Sequence, residues 1–335
     1  MMGRAPDFIC IGAAKAGTTW LYEALAASPG YWMTPMKELN YFGHPTRNQR
    51  LLQRLGNLEH IADPKRREWV ANFLHAEPRN DNWYRALFAS AGRRVTGDIS
   101  PPYARIGVVG IEHAKRVAPH AKIIMFARNP ADRDLSHLIH IATDKVLGTP
   151  KLAAVMDAIA LHLDLTGDRM EKRRQARAHF KLNREDVRSM DRLLAVLTQL
   201  AGRPVSFADV PEMLGKKITL DDVRAARARP VFMEQRSQSE ALRRWGGVFG
   251  TANVFTLLYD DLVSDAEGLF ARVTDLLGRK SQPRNASLLR QVSNPNTYRI
   301  EGLEELRAEL AQECAAEREA LRAIFGNNLP AWSAN

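Results

Sequence analysis

The sequence predicts an α/β protein: a doubly wound parallel sheet flanked by helices, with a helical insertion. Three observations lead there. Apolar runs at residues 8–11, 122–127 and 253–259 have the length and content of buried strands. Between them apolar residues recur at helical spacing, and strands that alternate with helices pair in parallel. A glycine-bounded loop, Gly12-Ala13-Ala14-Lys15-Ala16-Gly17, joins the first run to a helical pattern, at the kind of strand end where open sheets bind ligands.

With 335 residues, 45% of them hydrophobic, the chain can bury a full core. No linker rich in glycine, serine or proline divides it, so residues 1–335 read as one domain with a helical insertion over 144–230. The net charge of +10 and pI near 9.8 point to an anionic ligand, an acidic macromolecule or a charged membrane surface. Cys10 and Cys314 are the only cysteines, one in a strand and one in a C-terminal helix, which argues against a disulfide framework and fits a reducing cytosol. No apolar signal region precedes the first strand, and no run approaches the roughly 18 apolar residues of a membrane span. The expectation is a cytoplasmic protein with no transmembrane segment.

Taken in order, residues 8–11 form the first strand, and Trp20, Leu21, Ala24, Leu25 and Ala27 give the following helix its apolar face. The loop between them lets backbone N–H groups converge on an anion at a helix N-terminus, which makes a phosphate cradle of the nucleotide-binding type. Its glycines fit the first six positions of a nucleoside-triphosphate loop, but Thr18-Thr19 stand where that motif requires Lys-Ser/Thr, and the lysine is at position 15. Ser28-Pro29-Gly30 ends the helix, and the irregular stretch Pro35-Met36-Lys37-Glu38-Leu39-Asn40-Tyr41-Phe42 sets a charged pair beside aromatic residues. Glu38 there is either a partly desolvated carboxylate suited to proton abstraction or a surface glutamate beside a solvated lysine.

Helices are expected over 64–74 and 83–91, then a short strand over 94–98 that ends in the turn Ser100-Pro101-Pro102-Tyr103. A helix through Ile111, Ala114, Val117 and Ala118 leads to the strand at 122–127. Arg128-Asn129-Pro130 follows directly, with Pro130 suited to a first helical turn, so Arg128, Arg133 and Ser136 can supply donors for a second phosphate site. Arg133 can equally pair with Asp132 or Asp134. From 144 to 230 the periodicity is helical, and 169–184 is dense in basic residues, with Arg173, Arg177 and Lys181 forming one stripe. That stripe reads as a contact for an acidic acceptor or nucleic acid, or as a solvated face, and it lacks the aromatic residues that stack on bases. A helix around Leu242 and Trp245 precedes the strand at 253–259. The helix at 265–277 ends at Gly278, a good C-cap, and one amphipathic helix from Leu303 to Ile324 stops near Gly326.

Several of these stretches together resemble the sulfotransferases that use 3′-phosphoadenosine 5′-phosphosulfate (PAPS). Lys15 to Leu21 is similar to their 5′-phosphosulfate loop, and Lys37 to Phe42 resembles the Lys-Glu-x-x-Phe/Tyr-Phe segment of the heparan-type and related bacterial branch. Gly97-Asp98-Ile99-Ser100-Pro101-Pro102-Tyr103 resembles that branch's Gly-Glu-Lys-Ser-Pro-x-Tyr turn. Arg128-Asn129-Pro130 with Arg133 and Ser136 resembles the 3′-phosphate motif, Tyr259-Asp260-Asp261-Leu262 the late strand end, and residues 325–332 the closing segment. The likeness spans nearly the whole chain apart from the insertion.

The resemblance implies a P-loop-type fold and transfer of a sulfo group from PAPS, as co-substrate, to an acceptor hydroxyl, less readily an amine, with adenosine 3′,5′-bisphosphate (PAP) as product. It implies that Ala16, Gly17, Thr18 and Thr19, with the loop amides, hold the 5′-phosphate. Lys15 would then lie near the phosphate–sulfate bridge, and Arg128 and Ser136 would hold the 3′-phosphate. Trp20 matches an adenine-stacking tryptophan of the cytosolic branch or packs in the core, and Glu38 is the base. No metal is expected, the acceptor is a small molecule or carbohydrate, no nucleic-acid partner is expected, and the insertion becomes an acceptor pocket or lid. Three features depart from the pattern. Ile99 replaces a lysine, the Asp98 turn carries no histidine, and the Arg-Lys-Gly motif is missing, with Arg284, Arg290 and Arg299 as possible substitutes. Two other readings fit parts of the chain: a P-loop nucleotide-dependent phosphotransferase, which requires Mg²⁺, and a basic nucleic-acid-binding protein, whose binding would fall steeply with salt.

Overall fold

A computed structural model describes residues 3–43, 63–75, 78–148, 152–180, 190–205, 207, 209–290, 300–326, 329–330 and 332. At its centre lies a four-stranded parallel sheet in the order β2-β1-β3-β4, where β1 is Phe8–Gly12, β2 Gly97–Ile99, β3 Lys122–Ala127 and β4 Val254–Leu258. Every residue of β1 and every residue of β3 except Lys122 is buried. Both faces of the central strands are therefore covered, which explains why they read as unbroken apolar runs. Register pairs Phe8 with Gly97 and with Lys122, and Ile123 with Val254. A Cβ at Gly97 would lie 2.2 Å from the Phe8 ring, so the edge strand approaches β1 closely only because that position has no side chain. Here β2 is shorter than expected, and Val95 makes only an isolated parallel bridge with Tyr31.

The longer helices are α1 (Thr18–Ala26), α2 (Pro64–His75), α3 (Val108–Val117), α4 (Pro130–Leu147), α5 (Leu152–His162), α6 (Arg169–Phe180), α7 (Met190–Ala201), α8 (Gln238–Phe249), α9 (Ala266–Leu276), α10 (Leu303–Glu313) and α11 (Ala315–Phe325). The stretch expected as one helix over 83–91 is a short helix at Asp81–Ala86, capped by the Asn80 side chain, followed by a 3₁₀ turn at Ala89–Ala91. The C-terminal amphipathic run is also divided, at Cys314, whose thiol lies 3.5 Å from Asp134 Oδ2 and 3.5 Å from an Arg236 nitrogen. The break lets α10 pack on α4 while α11 packs on α8. Both cysteines are buried and free.

Apolar side chains sort into three clusters. The largest surrounds the sheet. A second lies within the insertion and includes Val155, Ile159, Leu193, Leu197 and Val210, while a third joins the insertion to the sheet layer through Leu138, Ile139, Val223, Phe232, Leu306 and Leu310. The basic stripe of the insertion is partly neutralised at close range. Arg169 and Arg173 both pair with Asp157 of α5, which holds that carboxyl far below its usual range, and Arg174 pairs with Glu171. Lys181 and Arg184 lie outside the described residues. No helix among the described residues is long and apolar enough to cross a membrane.

Candidate functional site

The sheet delivers its C-terminal ends to one edge, where the glycine-bounded loop leaves β1. Ala13 N–H donates to Phe126 O of β3 at 2.9 Å, fixing the loop's entry. The turn Ala14–Gly17 closes on Gly17, the N-cap of α1, at φ 104°. A side chain is excluded there twice over: the backbone is left-handed, and a Cβ would lie 2.8 Å from Leu262 Cδ2. A glycine N-cap offers no side-chain acceptor, and the first turn of α1 holds no acidic residue. The first amides of α1 therefore face outward with the positive end of the helix dipole, a geometry that receives an anion.

Cations gather around this loop. Lys15, at φ 66°, sits at its crown, and its pKa is lowered to about 8 by burial, then by Arg128 and Lys37, with Glu38 opposing. Arg128 follows β3 directly, and its Nη1 donates to Lys15 O at 2.7 Å while its guanidinium stacks 4.2 Å from the Tyr259 ring centroid. Buried Gln238 brackets the Arg128 backbone, accepting from its N–H at 3.0 Å and donating to its carbonyl at 2.9 Å. Gln238 is held in turn by Glu317, which accepts from the N–H groups of Gln238 and Ser239 and from the hydroxyls of Ser237 and Ser239. The third cation is Lys37, whose Nζ donates to Thr19 Oγ1 at 2.8 Å and Thr18 Oγ1 at 3.3 Å; burial lowers its pKa.

Glu38 comes to the same edge on a loop with unusual backbone geometry. Glu38 and Asn40 have φ of 64° and 54°, in the left-handed region that non-glycine residues rarely occupy. Local bonds hold them there. Glu38 N–H donates to Ile99 O at 3.0 Å, Asn40 N–H to Ser100 Oγ at 3.2 Å, and Tyr41 N–H to the Tyr103 hydroxyl at 2.8 Å. Behind these groups lies Asp98, fully buried, which accepts from Ser100 Oγ at 2.6 Å, Tyr103 at 2.8 Å and Tyr84 at 2.9 Å. Burial nevertheless pushes its pKa up to about 6, against those three hydrogen bonds. Asp98 thus braces the loop that carries Glu38.

The structure brings Lys15, Glu38, Ala16, Gly17, Thr18, Thr19 and Arg128 to one edge. Ser136, two turns into α4, is buried, on the helix that begins two residues after Arg128. Trp20 is 2% exposed, packs edge-on against Phe126 and Phe270, and donates its indole N–H to Leu289 O at 3.0 Å, the geometry of a core residue. Arg133 is buried and paired with Asp134, which also accepts from Arg236. Arg290 pairs with Glu267 at the surface, away from the cluster, and Arg299 lies outside the described residues. Lys37, Asp98, Gln238 and Tyr259 are the contributors that sequence reasoning assigned no role. For Lys37 the only signal was its place beside Glu38. Among the described residues no group of three His, Cys, Asp or Glu side chains is arranged to hold a metal ion.

The profile described as "Sulfotransferase family" matches residues 6–191, more than half of the chain. Among solved structures, a sulfotransferase from Alicyclobacillus acidocaldarius aligns over 98% of both chains with a TM-score of 0.51 and 19% identity, which shows the shared fold. The sulfotransferase domain of the Synechococcus PCC 7002 olefin synthase aligns over 98% of both chains at 0.44 and 16%. A sulfotransferase domain from the curacin biosynthetic pathway aligns over 93% of this chain and 98% of its own, at 0.40 and 14%. No protein of curated function matches the sequence.

Proposed function

Because the chain belongs to the sulfotransferase family, we propose that it moves the sulfo group of PAPS to an acceptor hydroxyl by in-line displacement. The observation that carries this reading is the convergence of Lys15, Lys37 and Arg128 on the uncapped N-terminus of α1, with Glu38 on the facing loop. Burial lowers the proton affinity of all three, and Arg128 and Lys37 lower that of Lys15 further, so the cluster calls for a ligand bearing several negative charges, and a bisphosphorylated nucleotide supplies them.

In this reading the amides of residues 15–19, with Thr18 and Thr19, seat the 5′-phosphate, and Arg128 with Ser136 seats the 3′-phosphate. Glu38 accepts the acceptor's proton as the acceptor oxygen bonds to sulfur. The bond between sulfur and the bridging oxygen breaks, its electron pair stays on the departing phosphate, and Lys15 stabilises the charge that grows there. Alignment and charge stabilisation are most of what the protein needs to add, since the mixed anhydride is already activated. The helical segment 144–230 supplies much of the acceptor pocket or its lid. The acceptor in this reading is a small molecule or a carbohydrate.

Calorimetry with PAP, ATP and a mixed oligonucleotide, each with and without Mg²⁺, tests the reading. Tight, metal-independent binding of PAP alone is expected, and its failure to bind would refute the assignment. Glu38→Gln should abolish release of PAP from PAPS across a panel of alcohol, phenol and sugar acceptors while PAP affinity stays within about twofold. Near-normal release in that variant removes Glu38 as the base.

A further inference from the structure

Lys37 has an arrangement that a loop tether does not require. Its ammonium reaches across from the loop that carries Glu38 to the two hydroxyls of the first turn of α1, 2.8 Å from Thr19 and 3.3 Å from Thr18. An ammonium carries three donors and no acceptor, so two are directed at the hydroxyls and the third is left for an anion resting on the same turn. The adjoining backbone is fixed: Glu38 N–H is anchored on Ile99 O and Asn40 N–H on Ser100 Oγ. Lys37 therefore stays at this edge whether or not an anion is present.

We propose that Lys37 is a second catalytic cation, one that grips the 5′-phosphate of the donor and takes up the charge released onto it when the sulfur–oxygen bridge breaks. The proposal rests on the donor reading above. Consecutive residues then serve opposite ends of one displacement. Glu38 receives the proton lost by the acceptor oxygen, and Lys37, with Lys15, receives the phosphate oxygen that keeps the electron pair of the broken bond. Before transfer the 5′-phosphate carries one negative charge, and after it two, so the grip strengthens as the reaction proceeds. An interaction that strengthens along the reaction path accelerates the step, whereas uniform binding does not.

The test uses Lys37→Met, which keeps the methylene packing, and Lys37→Arg, which keeps the charge. Calorimetry compares PAP, adenosine 3′-monophosphate and intact PAPS without acceptor. Lys37→Met is expected to weaken PAP about 10- to 100-fold, the range for charge-assisted hydrogen bonds. It should weaken PAPS less and leave adenosine 3′-monophosphate, which lacks the 5′-phosphate, unchanged. Lys37→Arg should recover most of the loss for PAP. If Lys37 only ties the loop to α1, the three nucleotides weaken together or not at all, and either outcome overturns the proposal. Equal losses for PAP and PAPS overturn the catalytic part. Wild-type protein that binds none of the nucleotides refutes the donor reading itself, a result that does not depend on either variant.

Discussion

Replacing Lys15 with methionine should cost donor binding and yet stabilise the ligand-free protein. The Lys15 ammonium is desolvated and repelled by Arg128 and Lys37, which lowers its pKa from 10.5 to about 8. At about 1.4 kcal/mol per pH unit, this places an upper limit of order 3 kcal/mol on the penalty for keeping the folded loop charged, and solvent at the half-open crown reduces it. Between pH 8 and 10.5 the unfolded chain holds this proton and the folded loop does not. Stability from this group therefore rises with pH across that window, and at pH 7 the penalty is fully present. Methionine removes the charge at similar length. The Arg128 bond survives, because it goes to the Lys15 backbone carbonyl, and a φ of 66° burdens either side chain alike. A gain of about 1–3 kcal/mol follows, or a few degrees in the melting midpoint. Melts at pH 7 and pH 9, with and without PAP, provide the assay. The reasoning fails if Lys15→Met melts below the wild type without nucleotide, or if it keeps wild-type affinity for PAP.

Three further outcomes are expected. Gln238→Leu leaves the Arg128 N–H and carbonyl without their partner, so it should cost about 1–3 kcal/mol in a denaturant titration and narrow the preference for PAP over adenosine 5′-monophosphate. Gly17→Ala strains a backbone at φ 104° and drives a methyl to 2.8 Å from Leu262, so calorimetry should show PAP affinity falling about tenfold or more; adding Leu262→Ala relieves the contact but not the strain, and recovery should be partial. Asp98 has its pKa raised to about 6, so its contribution to stability is fullest below its ordinary value of 3.8 and is lost as pH rises through 6. Asp98→Asn should remove that slope from a pH series of melts, and by loosening the Glu38 loop it should slow transfer about tenfold while PAP affinity holds within about twofold.

What could be read in advance follows the distance over which each feature is determined. β1 and β3 are buried on both faces, so their character is written in consecutive residues, and the loop after β1 carries its own glycines. Lys15 and Arg128 were legible for the same reason: a strand end in this class of sheet is a binding edge wherever it occurs. Lys37 was not, because its partners Thr18 and Thr19 lie 19 and 18 residues away. At the break the Cys314 thiol meets Asp134, 180 positions earlier, and helical periodicity runs through it undisturbed. Trp20 was ambiguous because a tryptophan one turn into such a helix has the same spacing whether it meets a purine or the core. Its bond to Leu289 O, 269 residues on, is what places it inside. The basic stripe of α6 reads as a free charged face until Asp157, on the preceding helix, is brought beneath Arg169 and Arg173.

Among the described residues no carboxylate forms a salt bridge with Lys15, Lys37 or Arg128. Asp132 and Asp260 act on Arg128 but are committed elsewhere, Asp132 accepting from Arg307 and Asp260 from the Trp332 indole, and Asp134 is taken up by Arg133 and Arg236. Glu317 is taken up by two amides and two hydroxyls, and Asp98 by three hydroxyls. Among the described residues Glu38 is the carboxylate that acts on both Lys15 and Lys37, with Glu23 also near Lys37, and in the proposed reading Glu38 as base must stay free to take a proton. Pairing it with either lysine would quiet the cluster and remove the base. In the proposed reading, the anion that balances Lys15, Lys37 and Arg128 arrives with the donor, and the same neutralisation that binds it leaves Glu38 available to the acceptor.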